Sequence, residues 1–120
     1  MTAQDHKAVL GISLTVHASV ALAFLLGLVA GVPAATVSIG QRGMVFARSS
    51  ASLAKGDQLV FTNEDDVVHN IHIFGPGNDE STNLGLQKPG TPLAYRFDKT
   101  GSYRVRCNIH PSMKMVVSVK

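Results

Sequence analysis

The chain has 120 residues, a formal charge of +3, 45% hydrophobic residues and a single cysteine. That length suits one domain of ordinary size. The basic excess is too small and too scattered to indicate nucleic-acid binding, and one cysteine excludes an internal disulfide framework.

Residues 8–32 form an almost unbroken apolar run, interrupted only by Ser13, Thr15, His17 and Ser19 and preceded by a short polar head containing Lys7. At about 25 residues the run is long enough to span a bilayer. Val32-Pro33-Ala34 offers small residues where a signal peptidase would cut, after Ala34 or Ala35. Residues 1–35 therefore read as a signal peptide or a membrane anchor, with Lys7 cytoplasmic if the segment is retained. Residues 36–120 read as the exported domain, either soluble in the periplasm or held on the outer face of the cytoplasmic membrane. Removing the leader takes away Lys7 and Asp5 together, so the domain keeps the same net charge. A lone exported cysteine is an oxidation hazard unless something occupies its sulfur.

Beyond the leader, Thr36-Val37-Ser38-Ile39 and Met44-Val45-Phe46-Ala47 predict short strands around a turn between Gly40 and Gly43. Arg48 to Lys55 is small, polar and loop-like. Asp57 to Thr62 predicts a clearer strand, closed by the acidic turn Asn63-Glu64-Asp65-Asp66. Val67 to Phe74 is strand again, with a period of two that places His69, Ile71 and Ile73 on one face. Gly75 to Pro92 is rich in Gly, Pro, Asn and Ser and reads as an irregular excursion. Leu93 to Phe97 predicts a strand, Asp98 to Gly101 a tight turn, and Ser102 to Cys107 a strand whose inward row is Tyr103, Val105 and Cys107. A closing strand carries Met115, Val117 and Val119 inward. No amphipathic helical period appears outside the leader. About seven short strands separated by turns predict an all-β antiparallel sandwich or barrel. Its core is expected from Phe46, Leu59, Phe61, Ile71, Ile73, Tyr95 or Phe97, Tyr103, Val105, Val117 and Val119.

The chemistry concentrates in Cys107-Asn108-Ile109-His110-Pro111-Ser112-Met113, read together with His69. A thiolate, two imidazoles and a thioether form a soft donor set that suits copper; magnesium or calcium would require carboxylates. Cys107, His69 and His110 are expected to supply the strong bonds and Met113 a weak axial one. Met115 is the alternative axial donor, although it shares the inward parity of Val117 and Val119. His110 lies in the loop and should present its ring edge to solvent. His72 falls on the opposite strand face from His69 and reads as a surface histidine. Cys with two His also suits zinc, but structural zinc takes four strong ligands and methionine is a poor one. Glu64, Asp65, Asp66, Asp79 and Glu80 read as solvated turn acids. There is no nucleophile elbow, phosphate loop or dinucleotide fingerprint, and an enzyme is not indicated.

The Cys-x-x-His-Pro-x-Met run followed by a valine-rich strand resembles the cupredoxins, the type 1 blue copper proteins, in particular the amicyanin and plastocyanin type. The stretch from Phe61 to Ile71 is similar to the segment that supplies the first histidine in plastocyanin and pseudoazurin. The wider run from Gly56 to Val119 resembles small exported proteins of the methylamine-utilisation type. Two features depart from that pattern. Ile109 stands before His110 where proline is usual, and the axial methionine of plastocyanin and pseudoazurin would fall at Met115. The resemblance implies a Greek-key cupredoxin fold and one type 1 copper ion, with Asn70 helping to hold the cysteine loop. It also implies a one-electron carrier working as a monomer with a cytochrome, dehydrogenase or oxidase as redox partner. A copper-binding or copper-delivery module of the export compartment, which holds the metal without cycling it, is the alternative.

Overall fold

A computed structural model describes residues 31–120; residues 1–30, where most of the expected leader falls, lie outside the described residues. Eight strands follow in chain order: β1 Thr36–Gln41, β2 Ser50–Leu53, β3 Gln58–Asn63, β4 His69–Phe74, β5 Ser81–Gln87, β6 Pro92–Arg96, β7 Gly101–Arg106 and β8 Lys114–Val119. They form a sandwich of two sheets, one ordered β1-β3-β6 and the other β2-β8-β7-β4-β5. Among the described residues no helix is long and apolar enough to cross a membrane.

Each strand alternates as its sequence dictates, because successive side chains leave a pleated strand on opposite sides. Leu59 and Phe61 of β3, Ile71 and Ile73 of β4, Tyr103 and Val105 of β7, and Val117 and Val119 of β8 all point inward and are buried. Phe97 is buried, whereas Tyr95 is half-buried; the two rings meet edge-on at 4.8 Å, and Phe97 meets Tyr103 at 4.9 Å. Ile39, Leu53 and Met115 join the same core. Burial of each such side chain stabilises the fold by roughly 1.5–3 kcal/mol, and this shared interior holds the two sheets together.

The structure corrects the expected organisation in four places. The sheets are mixed, not wholly antiparallel, because β1 runs parallel to β3 and β2 parallel to β8. Alternation reveals which side of a strand is buried but carries no information on its direction. Arg48 to Lys55, expected as loop, contains β2, and the excursion after Gly75 contains β5. Both missed strands lie at the edges of the five-stranded sheet. β2 has only four residues, and β5, though seven long, buries only Gln87 and is interrupted by a register shift opposite Ile71 and His72, so neither gives a clear alternating signal. Met44 to Ala47 is not a strand, for only Phe46 bridges back to Gln41. Gly43 and Met44 adopt φ of 67° and 57°, a conformation that ends extended pairing.

Candidate metal centre

The four expected donors come from two places in the fold. His69 opens β4, while Cys107, His110 and Met113 belong to the connection between β7 and β8. Inward parity along β7 carries Cys107 just past the last paired residue, so its sulfur faces the interior and is 3% exposed. His69 is fully buried, and its Nδ1 lies 3.2 Å from Nδ1 of His110, which is itself 3.6 Å from the Cys107 sulfur. All three donor atoms lie within 4.8 Å of one another. Three donors bonded at about 2.0–2.3 Å to a common ion would stand roughly 3.5–4 Å apart, so the arrangement fits a metal with little adjustment.

The connecting loop is closed by its own backbone. The Met113 amide donates to the His110 carbonyl at 3.0 Å, and the Cys107 amide donates to the Met113 carbonyl at 3.2 Å. Met113 is thereby buried beside the cluster, outside any strand. Met115 lies opposite Val105 in the paired register and belongs to the inward row with Val117 and Val119.

Hydrogen bonds brace the donors from both sides. Asn70 donates its amide to the Cys107 sulfur at 3.3 Å, and its side-chain oxygen accepts from the Asn108 amide at 3.0 Å. Its side-chain nitrogen donates to Asn83 Oδ1 and to the Gly85 carbonyl of β5. The strand missed in the sequence is therefore what steadies Asn70.

Asp65 was expected as a solvated turn acid, and the structure gives it another place. Its Oδ2 accepts from His69 Nε2 at 2.7 Å and from the Met44 amide at 3.0 Å, while Oδ1 accepts from the Gly43 amide. Burial pushes the Asp65 carboxyl up, but the bonds from Met44, His69 and Gly43 outweigh that and leave it below its ordinary value. A neutral His69 that donates through Nε2 keeps a bare lone pair on Nδ1, the atom aimed into the cluster. Asn63 supports the turn in its own right, accepting from the Asp65 amide and donating to the carbonyls of Val67 and Gln87. The sequence signal for Asp65 was its spacing of four before His69, but three consecutive acids gave no way to choose among them.

His72 stays outside the cluster. Its ring stacks on Phe74 at 4.0 Å and accepts from Asn108 at 3.0 Å, half-buried on the outer sheet face as parity requires. His110 is half-buried and flanked by exposed Ile109. Exposed Val67 and Val68 lie in the turn between Asp65 and His69, and exposed Met44 and Val45 in the β1–β2 connection whose Gly43 and Met44 amides bind Asp65. The donor set is soft, buried on one side and open at one histidine edge, a combination suited to copper.

Comparison with known proteins agrees. A family model described as copper binding proteins, plastocyanin/azurin family, matches residues 33–120. Amicyanin-alpha of Methylorubrum extorquens is 28% identical over 89 residues, covering 73% of this chain and 75% of its own. The reduced Cu(I) form at pH 4 of a proline variant of amicyanin superposes with a TM-score of 0.64 at 20% identity, over 71% of this chain and 82% of that one. A copper-containing nitrite reductase from Thermus scotoductus superposes with a TM-score of 0.63 at 24% identity, over 71% of this chain but 22% of that larger one. At these identities the two structures speak for a shared fold.

Proposed function

Because the chain belongs to the plastocyanin/azurin family of copper-binding proteins, we propose that it is an exported one-electron carrier with Cys107, His69, His110 and Met113 as the copper ligands. Residues 1–35 would deliver the domain to the periplasm, as a cleaved signal or as a tether. The observation that carries this reading is the convergence within 4.8 Å of the Cys107 sulfur and a His110 ring nitrogen, both from the β7–β8 connection, with a ring nitrogen of His69 at the start of β4.

Copper bound there supplies the Cu(I)/Cu(II) couple. The chain supplies the rest. Asp65 holds His69 in the tautomer that offers Nδ1, and Asn70 holds the cysteine sulfur and the start of its loop. Donors braced in this way move little when the charge of the site changes, which keeps reorganisation small. His110 provides the edge through which an electron reaches a partner such as a cytochrome, dehydrogenase or oxidase. The Asp65 carboxylate is engaged by three donors and is not free for acid or base chemistry.

The test is the optical and electron paramagnetic resonance spectrum of the copper-loaded protein, followed by voltammetry. An intense blue or green thiolate-to-copper band, lost in Cys107→Ser, and a reversible one-electron wave are expected. A colourless protein with only weak d-d bands would overturn the site. A coloured protein that cycles poorly and surrenders Cu(I) quickly to a chelator would make it a delivery module.

A further inference from the structure

The outer face of the five-stranded sheet carries three cations with no acid beside them. Arg104 and Arg106 are alternate outward residues of β7, and Lys114 stands directly across from Arg106 on β8. All three are exposed. Among the described residues the Lys and Arg ion pairs are Arg42 with Glu64, Arg96 with Asp98 and Lys99 with Glu80. Like charges set opposite each other on neighbouring strands destabilise a sheet, so folding alone gives no reason for this arrangement.

The cations rim a groove of about 280 Å³, lined also by Ser49, Met115 and Val116. Val116 is 47% exposed although it lies mid-strand. Arg104 is held in place, its guanidinium 5.7 Å from the centre of the Phe74 ring.

We propose that this groove is a docking surface for an acidic segment of a partner protein. Arg104, Arg106 and Lys114 receive its carboxylates, and Val116 receives an apolar side chain between them. Charge complementarity selects this occupant. Three cations around a groove this small suit a few side chains of a short segment, whereas nucleic acid calls for a longer basic track and an anionic membrane for a larger polybasic segment. Its use rests on the electron-carrier reading above: Arg106 is bonded to Cys107, so a partner seated here lies one residue along the chain from the sulfur-bearing residue.

The experiment is amide chemical-shift mapping of the ¹⁵N-labelled protein against a hexaglutamate peptide at low ionic strength. Shifts should concentrate at residues 104–106, 114–116 and Ser49. Affinity should fall about tenfold in the Arg106→Gln, Lys114→Gln double variant, fall with added salt, and stay unchanged in Lys55→Gln, Lys88→Gln. Circular dichroism should show both variants folded, as all four positions are exposed. Shifts spread over Lys55 and Lys88, shifts centred on His110, or unchanged binding by the groove variant would overturn the proposal. So would tighter binding to phosphatidylglycerol-containing vesicles or to a short single-stranded oligonucleotide. Peptide binding is read without copper, so a site that fails to colour or cycle would sink the carrier reading and leave the groove result standing.

Discussion

Replacing Asp65 by asparagine isolates what one carboxylate does for its neighbours. Both of its oxygens accept, one from Gly43 and the other from Met44 and His69. An amide in the same place must turn its NH₂ toward one of those donors, which costs about 1–3 kcal/mol for the group left unpaired. Asp65→Asn should therefore lower the denaturation midpoint and weaken copper binding by roughly 10–100-fold, measured by competition with a chelator. The methionines make a sharper pair. Met113→Leu should keep a coloured site and raise the reduction potential, since removing a weak donor disfavours the more charged copper state. Met115→Leu should leave the spectrum alone and cost under about 1.5 kcal/mol, as a volume-conserving core exchange. A spectrum that responds to Met115 and not to Met113 would reverse the axial assignment. At this scale the cluster of His69, Cys107 and His110 was legible, because unlike soft groups carry their chemistry openly. Asp65 and the full reach of Asn70 were not, since both depend on what turns and edge strands bring alongside.

Strands with a clear two-residue period, β3, β4, β7 and β8, were visible in the sequence almost to their ends. β2 and β5 were not, because each buries a single side chain, Leu53 and Gln87, too few to alternate. Leu53 shows what this omission costs. It is 6% exposed and pairs with Val119, so Leu53→Ala should destabilise the fold by about 2–4 kcal/mol in urea unfolding. A residue in a true surface loop would give less than about 0.5 kcal/mol, and a loss that small would contradict the parallel pairing of β2 with β8. Gly75 is constrained differently. Its φ is 115°, and an added Cβ would lie 2.7 Å from the Ser102 carbonyl oxygen, so the chain leaving β4 tolerates no side chain there.

Across the whole domain, Asp57 joins the two sheets. It lies in the crossing from β2 to β3, and its carboxylate accepts from the Ala35 amide at 2.8 Å and the Ala54 amide at 2.9 Å. The bond from Ala35, seconded by that from Ala54, holds its pKa below the ordinary value of 3.8 against the opposing effect of burial. A carboxyl whose folded-state pKa is depressed stabilises the fold fully above its unfolded value, and that contribution disappears as pH falls through the folded one. Denaturation midpoints should thus be level near neutrality and fall in acid below about pH 4, and Asp57→Asn should flatten that acid limb. An unchanged limb would place the acid sensitivity elsewhere. The overall class, all-β with a buried sulfur-bearing strand, was legible because few other arrangements satisfy so many short alternating segments. Strand direction was not, since parallel and antiparallel neighbours bury the same faces.

The position of β8 has one more consequence. It is the last of the eight strands to be synthesised, yet it is inserted between β2, among the first, and β7. Until that final stretch arrives the larger sheet stays unstitched, with β2 presenting an open edge to any passing strand, and contacts so distant in sequence form slowly. The larger sheet is therefore closed only when nearly the whole domain has been synthesised.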